Sequence, residues 1–411
     1  MSTLNKTDRE AYEILARERR FRHDTINLVP SDNHPSKAVN EAFKYPLFYS
    51  ENDGKNYYYP GCEIVDEAEK LCERRALQAF PGAEHTNVKP NDGTRANEAA
   101  YLAVLKDGET IMSLDLSCGG HLSHGLKWNY SGIRYKIVSY GVDAAGRLDY
   151  DKIREIAKKE RPKLIIAGGS SFSLTFRFDQ FAEIAKEVGA LLHADISHFA
   201  GLVAAGLYPS PFPHVDLCMT TTQKTLRGPK GALLFSKKEH AKPLNRAVFP
   251  GIMAHSTGAQ LLGKAICLGE VLTDSFKEEM RRVKDNSAYL CGLFKDAGYK
   301  IISDGTETHL FVIDLRPKQM EGRDAQARLQ AINILANKQV IPYDEKPPVV
   351  SSGLRIGTPC ASARGMGRPQ MDVIFRVVHE CLNSSGERPD LKQKVAELGR
   401  EFPVPDMELD R

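Results

Sequence analysis

Residues 151–195 read DKIREIAKKERPKLIIAGGSSFSLTFRFDQFAEIAKEVGALLHAD, and the periods in this stretch decide the fold class. Asp151 to Lys159 carries apolar residues at helical spacing. Lys163 to Ala167 is a short apolar run of strand length. Gln180 to Val188 returns to the helical period, and Ala190 to Ala194 is a second strand-like run. Helix and strand alternating in this way imply a mostly parallel sheet flanked by helices, an α/β fold. In such sheets ligands sit at the carboxyl ends of the strands.

The alternation extends in both directions. Upstream, Thr94 to Leu105 reads as a helix and Thr110 to Leu116 as a strand; downstream, a helix covers Gln260 to Leu272. Beyond that the character changes. Lys277 to Asp296 is a long amphipathic helix, and Tyr299 to Ser303 and His309 to Leu315 are strand-like runs separated by Asp-Gly. Helices over Arg323 to Ala336 and Met371 to Leu382 complete a smaller α+β region. At the other end, Asp8 to His23 is charged, with Tyr12, Ile14, Leu15 and Phe21 at helical spacing. It reads as an arm packed on its own body or on a partner subunit. The expected division is therefore an amino-terminal arm over 1–24, a large domain over 25–272 and a small domain over 273–411.

A chain of 411 residues suits two domains, and 42% hydrophobic residues suffice for a substantial core. The net charge of +3 gives no argument for nucleic acid or for a polybasic membrane anchor. Eight cysteines are scattered without metal-ligand spacing, so no metal site is expected and the thiols read as reduced. The polar first residues do not resemble a secretory or transit signal, and no apolar run reaches membrane-spanning length. A cytoplasmic protein is expected.

Three segments carry chemistry. Thr220-Thr-Thr-Gln-Lys-Thr-Leu-Arg-Gly-Pro229 sets Lys224 among hydroxyl residues just before a Gly-Pro break. Such hydroxyls can bind a phosphate, and neighbouring cations lower a lysine's pKa and make it a nucleophile. An ordinary surface lysine is the plainer reading of that turn alone. Leu191-Leu-His-Ala-Asp-Ile-Ser-His198 ends an apolar strand in Asp195, where a carboxylate can pair with a protonated pyridine nitrogen. A strand-end capping aspartate is the plainer alternative. Asn91-Asp-Gly-Thr-Arg-Ala-Asn97 opens a helix, and Gly93 and Thr94 can offer N–H groups and a hydroxyl to a phosphate. Asp92 equally suits a plain N-cap.

Together these segments resemble the serine hydroxymethyltransferase family. Asp195-x-x-His198 is followed by Ala-Gly-Leu-Val-Ala-Ala-Gly, Tyr-Pro-x-Pro-x-Pro-His and the Lys224 segment. Gly-Gly-His121-Leu-Ser-His124-Gly, Tyr58-Tyr59-x-Gly61-Cys62-Glu63 and Ser352-Gly-Leu-Arg355-Ile-Gly-Thr-Pro also match, in order, from about residue 27 onward. The resemblance implies a type I, aminotransferase-like fold and a pyridoxal 5'-phosphate enzyme. It implies a dimer or tetramer with active sites shared between subunits.

By the same resemblance Lys224 would bind the cofactor covalently and Asp195 would pair with the pyridine nitrogen. His121 would stack on the ring, and His198 and Ser170 would lie near its phenolic oxygen. Arg355, helped by Ser31, would clamp the carboxylate of an amino-acid substrate with its bidentate fork. Glu51 would act as acid/base near the substrate hydroxyl, with Tyr49, Tyr58 and Tyr59 supplied by the neighbouring subunit. Leu116, Gly120, Leu122, Tyr58 and Gln339 would line a folate site. The implied reaction makes or breaks the Cα–Cβ bond of a β-hydroxy amino acid, with tetrahydrofolate as one-carbon carrier.

The chain departs from the family pattern at five places. Gln223 stands where histidine is usual. Asp92-Gly93-Thr94 replaces a Ser-Gly-Ser type cup, so a carboxylate falls beside the expected phosphate unless Arg95 neutralises it or it turns away as an N-cap. Ile252-Met-Ala-His-Ser-Thr257 replaces a glycine-rich loop, with His255 and Ser256 as substitute phosphate donors. Gln339 replaces asparagine, and Pro30 precedes Ser31-Asp32-Asn33 in place of a small residue. A folate-independent threonine-type aldolase or transaldolase is therefore the second expectation. An aminotransferase fits the Glu51 and Tyr58–Tyr59 set poorly. A non-catalytic scaffold would have no physical reason to keep Lys224, Asp195, His121 and Arg355 together.

Overall fold

The structure is a computed structural model and describes residues 3–44, 61–254, 256–384 and 386–405. Its larger sheet has seven strands, in the spatial order His85–Asn87, Ala232–Ser236, Leu217–Thr221, Leu191–Asp195, Leu164–Gly168, Thr110–Leu114 and Lys136–Tyr140. All run in one direction except Ala232–Ser236, which is antiparallel to both neighbours. Side-chain alternation explains why these strands are continuous apolar runs. Ile165, Ala167, Leu192 and Ala194 enter one layer of core, while Leu164, Ile166, Leu217 and Met219 enter the other. Helices cover both faces, so both sets must be apolar.

Local sequence sets the helix limits. Asp149 accepts from the N–H groups of Asp151 and Lys152 and starts Tyr150–Glu160. Phe178–Val188 buries Phe178, Phe181, Ile184, Ala185 and Val188 on one face, then stops at Gly189, whose φ of 69° is left-handed. The amino-terminal helix Arg9–His23 buries none of its residues.

A second, antiparallel sheet has the order Asn337–Gln339, Gly353–Gly357, Leu310–Asp314 and Lys300–Ile301. Its core joins Phe294, Phe311, Ile313, Leu354, Ile356 and Val378 with Ile26 and Leu28. Ile26–Asn27 pairs in parallel with Ile334–Leu335, and the Gly357 N–H donates to the Leu28 carbonyl at 2.8 Å. The segment containing Ser31 is thereby drawn beside the strand that carries Arg355.

Three expected elements end earlier than their patterns suggest. The helix expected over 323–336 is Gly322–Ala331, because Asn333 adopts a left-handed φ of 62° and the chain then turns into a strand. The run 299–303 is a strand only at Lys300–Ile301, since Ser303 and Asp304 have φ of 65° and 58°. The strand from Thr110 stops at Leu114, and Leu116 starts a single 3-10 turn capped by Asp115. The helix Glu63–Ala79 and the strands Lys136–Tyr140, Leu217–Thr221 and Ala232–Ser236 add to the elements expected.

Candidate active site

The carboxyl ends of the central strands open on a cavity of about 450 Å³. Its wall includes Gly93, Thr94, His121, Ser170, Asp195, His198, Thr221 and Lys224. Lys224 follows the strand Leu217–Thr221 on a loop pinned at both ends. The Thr222 N–H donates to the Gly231 carbonyl at 3.0 Å and the Thr222 hydroxyl to the Pro229 carbonyl. The Thr225 hydroxyl donates to the His198 carbonyl at 3.0 Å and accepts from the Gly201 N–H at 2.9 Å. The Lys224 carbonyl accepts from the Arg227 N–H and from the Asn33 side-chain amide. Two of the hydroxyls flanking Lys224 therefore hold the loop itself. Thr221 differs: its buried hydroxyl has no hydrogen-bond partner among the described residues.

The Lys224 amine is buried, and it too has no hydrogen-bond partner among the described residues. Burial, aided by the Arg355 charge and opposed by Asp195, brings it down to about 8. Asp195 is the last residue of its strand. One carboxylate oxygen accepts from His124 Nε2 at 2.9 Å and from the Asn97 amide at 3.0 Å. The other accepts from the Ser197 N–H at 3.1 Å. Burial would raise this carboxyl, but the His124 hydrogen bond and the His124, His121 and Lys224 charges hold it well below the usual range. It is a fixed anion at the carboxyl end of the middle strand of the sheet.

His121 is held by a 2.7 Å contact between its Nδ1 and the Ser123 hydroxyl, which itself accepts from the Asn97 amide. Burial and the His124 charge bring His121 down to about 4, so a neutral ring faces the cavity. Arg355 lies on Gly353–Gly357, paired with Asn337 and Val312. Its Nη1 donates to the Ser170 carbonyl at 2.7 Å and its Nε to the Asn337 side chain at 3.2 Å, leaving Nη2 without a partner among the described residues. Burial lowers it to about 10, so it stays a cation near neutral pH.

The helix Gly93–Val104 starts at the cavity. A Cβ on Gly93 would lie 2.6 Å from the Thr221 methyl, so the closeness of these two elements requires glycine. Asp92 is the N-cap: its carboxylate accepts from the Arg95 N–H at 3.0 Å. The Arg95 guanidinium pairs instead with Glu98 at 2.7 Å, so Arg95 does not neutralise Asp92. Free N–H groups at a twelve-residue helix start, the unpartnered Thr221 hydroxyl and a glycine cradle fit a phosphate. The buried amine and the fixed carboxylate fit the other two contacts of a pyridoxal ring.

Other expected residues fall elsewhere. Leu116, Gly120, Leu122 and Gln339 are not part of the cavity wall. Leu122 is exposed beside His121, and the Gln339 amide donates to the adjacent Val340 carbonyl at 3.0 Å. Ser31 is half-buried, and its neighbour Asp32 accepts from the Asn27 amide while its charge favours Arg355 as a cation. The Ser256 hydroxyl donates to the Lys89 carbonyl, so it ties two loops rather than standing free as a phosphate donor. Tyr49, Glu51, Tyr58, Tyr59 and His255 lie outside the described residues. Four groups that the sequence reading left without a role complete the polar floor: Asn97, His124, His193 and His309. His193 Nε2 meets the Asn97 oxygen at 2.8 Å, and His309 contacts His198.

The serine hydroxymethyltransferase family model matches residues 4–378. A serine hydroxymethyltransferase of Thiobacillus denitrificans is 41% identical over 407 residues, covering 98% of each chain. The chain belongs to the serine hydroxymethyltransferase family. It is accordingly a pyridoxal-phosphate-dependent serine/glycine hydroxymethyltransferase, and the folate-independent aldolase reading is not favoured. Use of pyridoxal phosphate and of folate is general to that family, and the seven-stranded, mostly parallel sheet agrees with its type I fold. No helix among the described residues is long and apolar enough to cross a membrane.

Proposed function

We propose that the cavity holds pyridoxal phosphate on Lys224 and that the chain moves the serine hydroxymethyl carbon to and from tetrahydrofolate. The observation carrying this reading is that one cavity joins Lys224, Asp195, His121 and the helix start at Gly93. Gly93, Thr94 and Thr221 would take the phosphate. Asp195, kept anionic by His124 and Asn97, would hold a proton on the pyridine nitrogen. His121 would cover one ring face, with Ser170 and His198 beside the phenolic oxygen.

The bound cofactor supplies an electron sink for the pair left at Cα when the Cα–Cβ bond opens. The remaining work belongs to the protein's own groups. Arg355, held by Ser170 and Asn337, would bind the substrate carboxylate with Ser31 and fix which Cα bond is broken. Lys224, near 8, would take and return a proton at working pH. Glu51 would move the proton of the substrate hydroxyl. Tyr58, Leu116, Gly120, Leu122 and Gln339 would form the folate side, and His255 and Tyr49 would add to the phosphate side.

The same proposal includes a homo-oligomer with shared sites, acting in the cytoplasm. It keeps the division into an arm over 1–24, a large domain over 25–272 and a small one over 273–411. The seven-stranded sheet falls in the second part and the four-stranded sheet in the third.

Absorption spectroscopy of the purified, cofactor-loaded protein with glycine tests the reading. A long-wavelength band is expected, rising about tenfold or more when tetrahydrofolate is added. No response to folate, with folate-free cleavage of threonine, would transfer the reading to an aldolase. Lys224→Ala should lose the absorbance of the lysine-bound cofactor; retaining it would remove Lys224 from its role.

A further inference from the structure

His309 lies 111 residues from His198 in the chain, at the entry to the strand Leu310–Asp314 of the smaller sheet. It is fully buried, and its carbonyl accepts from the Thr358 N–H at 3.1 Å, which fixes its backbone to the strand of Arg355. Its ring lies against that of His198, with centroids 5.5 Å apart and planes inclined by 26°. His309 Nε2 is 3.3 Å from His198 Nδ1. His198 is itself in the cavity wall beside Lys224.

We propose that His309 is a positioning residue: it holds His198 by Nδ1 through one shared proton, so that Nε2 is the nitrogen offered to the cavity. Two imidazole nitrogens bond only when one carries a proton and the other a lone pair. Protonating one ring still leaves the other a lone pair to accept; only when both rings are charged do two N–H groups meet face to face. The surrounding charges oppose any added proton: Lys224 and Arg355 face both His198 and His309. Burial, then these cations, lowers His309 to about 3 and His198 well below the ordinary imidazole range. A neutral His198 with a fixed ring is suited to one hydrogen bond of set direction. A charged or rotating ring is not.

The catalytic consequence rests on the cofactor reading above, whereas the pairing is a property of the chain alone. The first test therefore uses cofactor-free protein with 15N-labelled histidine, titrated by NMR from pH 5 to 8, with His198 assigned by His198→Asn. In the native protein His198 should hold one tautomer and not titrate. In His309→Leu that preference should be lost, giving a mixture of the two tautomers, and His309→Asn, whose amide can replace Nε2, should restore the single tautomer.

In the loaded enzyme, His309→Leu should lower kcat for serine about tenfold or more with KM within about threefold, and His309→Asn should recover most of it. A His198 that keeps its single tautomer in His309→Leu, or an asparagine variant no better than leucine, overturns the proposal. If the leucine variant does not fold, the native spectrum decides: a tautomer mixture at His198 overturns it, and a single tautomer supports it. Failure of the cofactor reading would appear separately, as Lys224→Ala retaining the lysine-bound absorbance.

Discussion

Lys224 is a cation-forming group in a place that penalises a cation, and this can be measured without turnover. Its pKa falls from an ordinary 10.5 to about 8 on folding, so between those values the unfolded chain binds more protons than the folded one. Stability from this group therefore rises as pH climbs from about 8 toward 10.5, and below 8 the full penalty is present. Lys224→Met removes the penalty. Cofactor-free Lys224→Met should be more stable than the native protein at pH 7, on the order of 1–3 kcal/mol, with the advantage shrinking toward pH 10.5. Denaturant unfolding of both proteins at pH 7, 8.5 and 10 checks this. Thiols of the unfolded chain ionise in the same window, but they are common to both proteins and cancel in the difference. An advantage that is constant with pH would mean that packing, not charge, is responsible. Under the proposed role of Lys224, such a cost is the usual exchange of stability for a reactive group.

At the scale of elements, the helix Gly93–Val104 and the strand Leu217–Thr221 meet where Gly93 faces the Thr221 methyl. Gly93→Ala must push them apart by several tenths of an ångström at the helix start, where the proposed phosphate would sit. Cofactor affinity should fall about tenfold or more, while affinity for phosphate-free pyridoxal changes little, as fluorescence titration would show. Equal losses for both ligands would place Gly93 outside the phosphate cup. In the core, Phe181→Ala should cost about 3–5 kcal/mol in chemical denaturation without altering either affinity. These two residues also show what could be read from sequence. Phe178, Phe181, Ile184 and Val188 announce their helix because a buried face must repeat with the helical period, and Lys163 to Ala167 announces its strand because both faces are covered. Glu63–Ala79 carries a weaker signal, since its buried face is largely Val65, Ala68, Cys72, Ala76 and Ala79. The contacts beneath Asp195 left no local signal at all. Asn97 on the helix Gly93–Val104, His124 on the 3-10 turn Leu122–His124 and His193 on its strand are brought together only by tertiary packing, and a histidine before an apolar strand, as at His309, gives no hint of His198. The family resemblance could propose Lys224, Asp195, His121 and Arg355 as site residues. It could not show that Asp92 is an N-cap, or that Thr222 and Thr225 hold the loop instead of a ligand.

For the whole molecule, the chain leaves apolar surface whose position points to a second copy. Arg9–His23 buries nothing, and Ile14, Leu15 and Phe21 on it are exposed. Phe43 and Ile64, exposed by 48% and 65%, flank residues 45–60, which contain Tyr49, Glu51, Tyr58 and Tyr59. Exposed apolar groups on the amino-terminal helix and on either side of that segment would be covered in the proposed homo-oligomer, as others elsewhere, Trp128 and Ile133 among them, could be. Sedimentation velocity should find at least twice the chain mass, and Ile64→Glu should shift it toward the monomer. Sharing of sites needs a stronger test, since a dimer can form without it. Lys224→Ala and a Tyr58→Ala/Tyr59→Ala double variant should each be nearly inactive. If the tyrosines serve the neighbouring subunit, a hybrid dimer carries both defects at one site and none at the other. Random re-association of equal amounts makes half the dimers hybrid, so about a quarter of the native activity should return. Hybrids present by mass spectrometry but without activity would mean that each subunit completes its own site, and the apolar surface would then serve assembly alone.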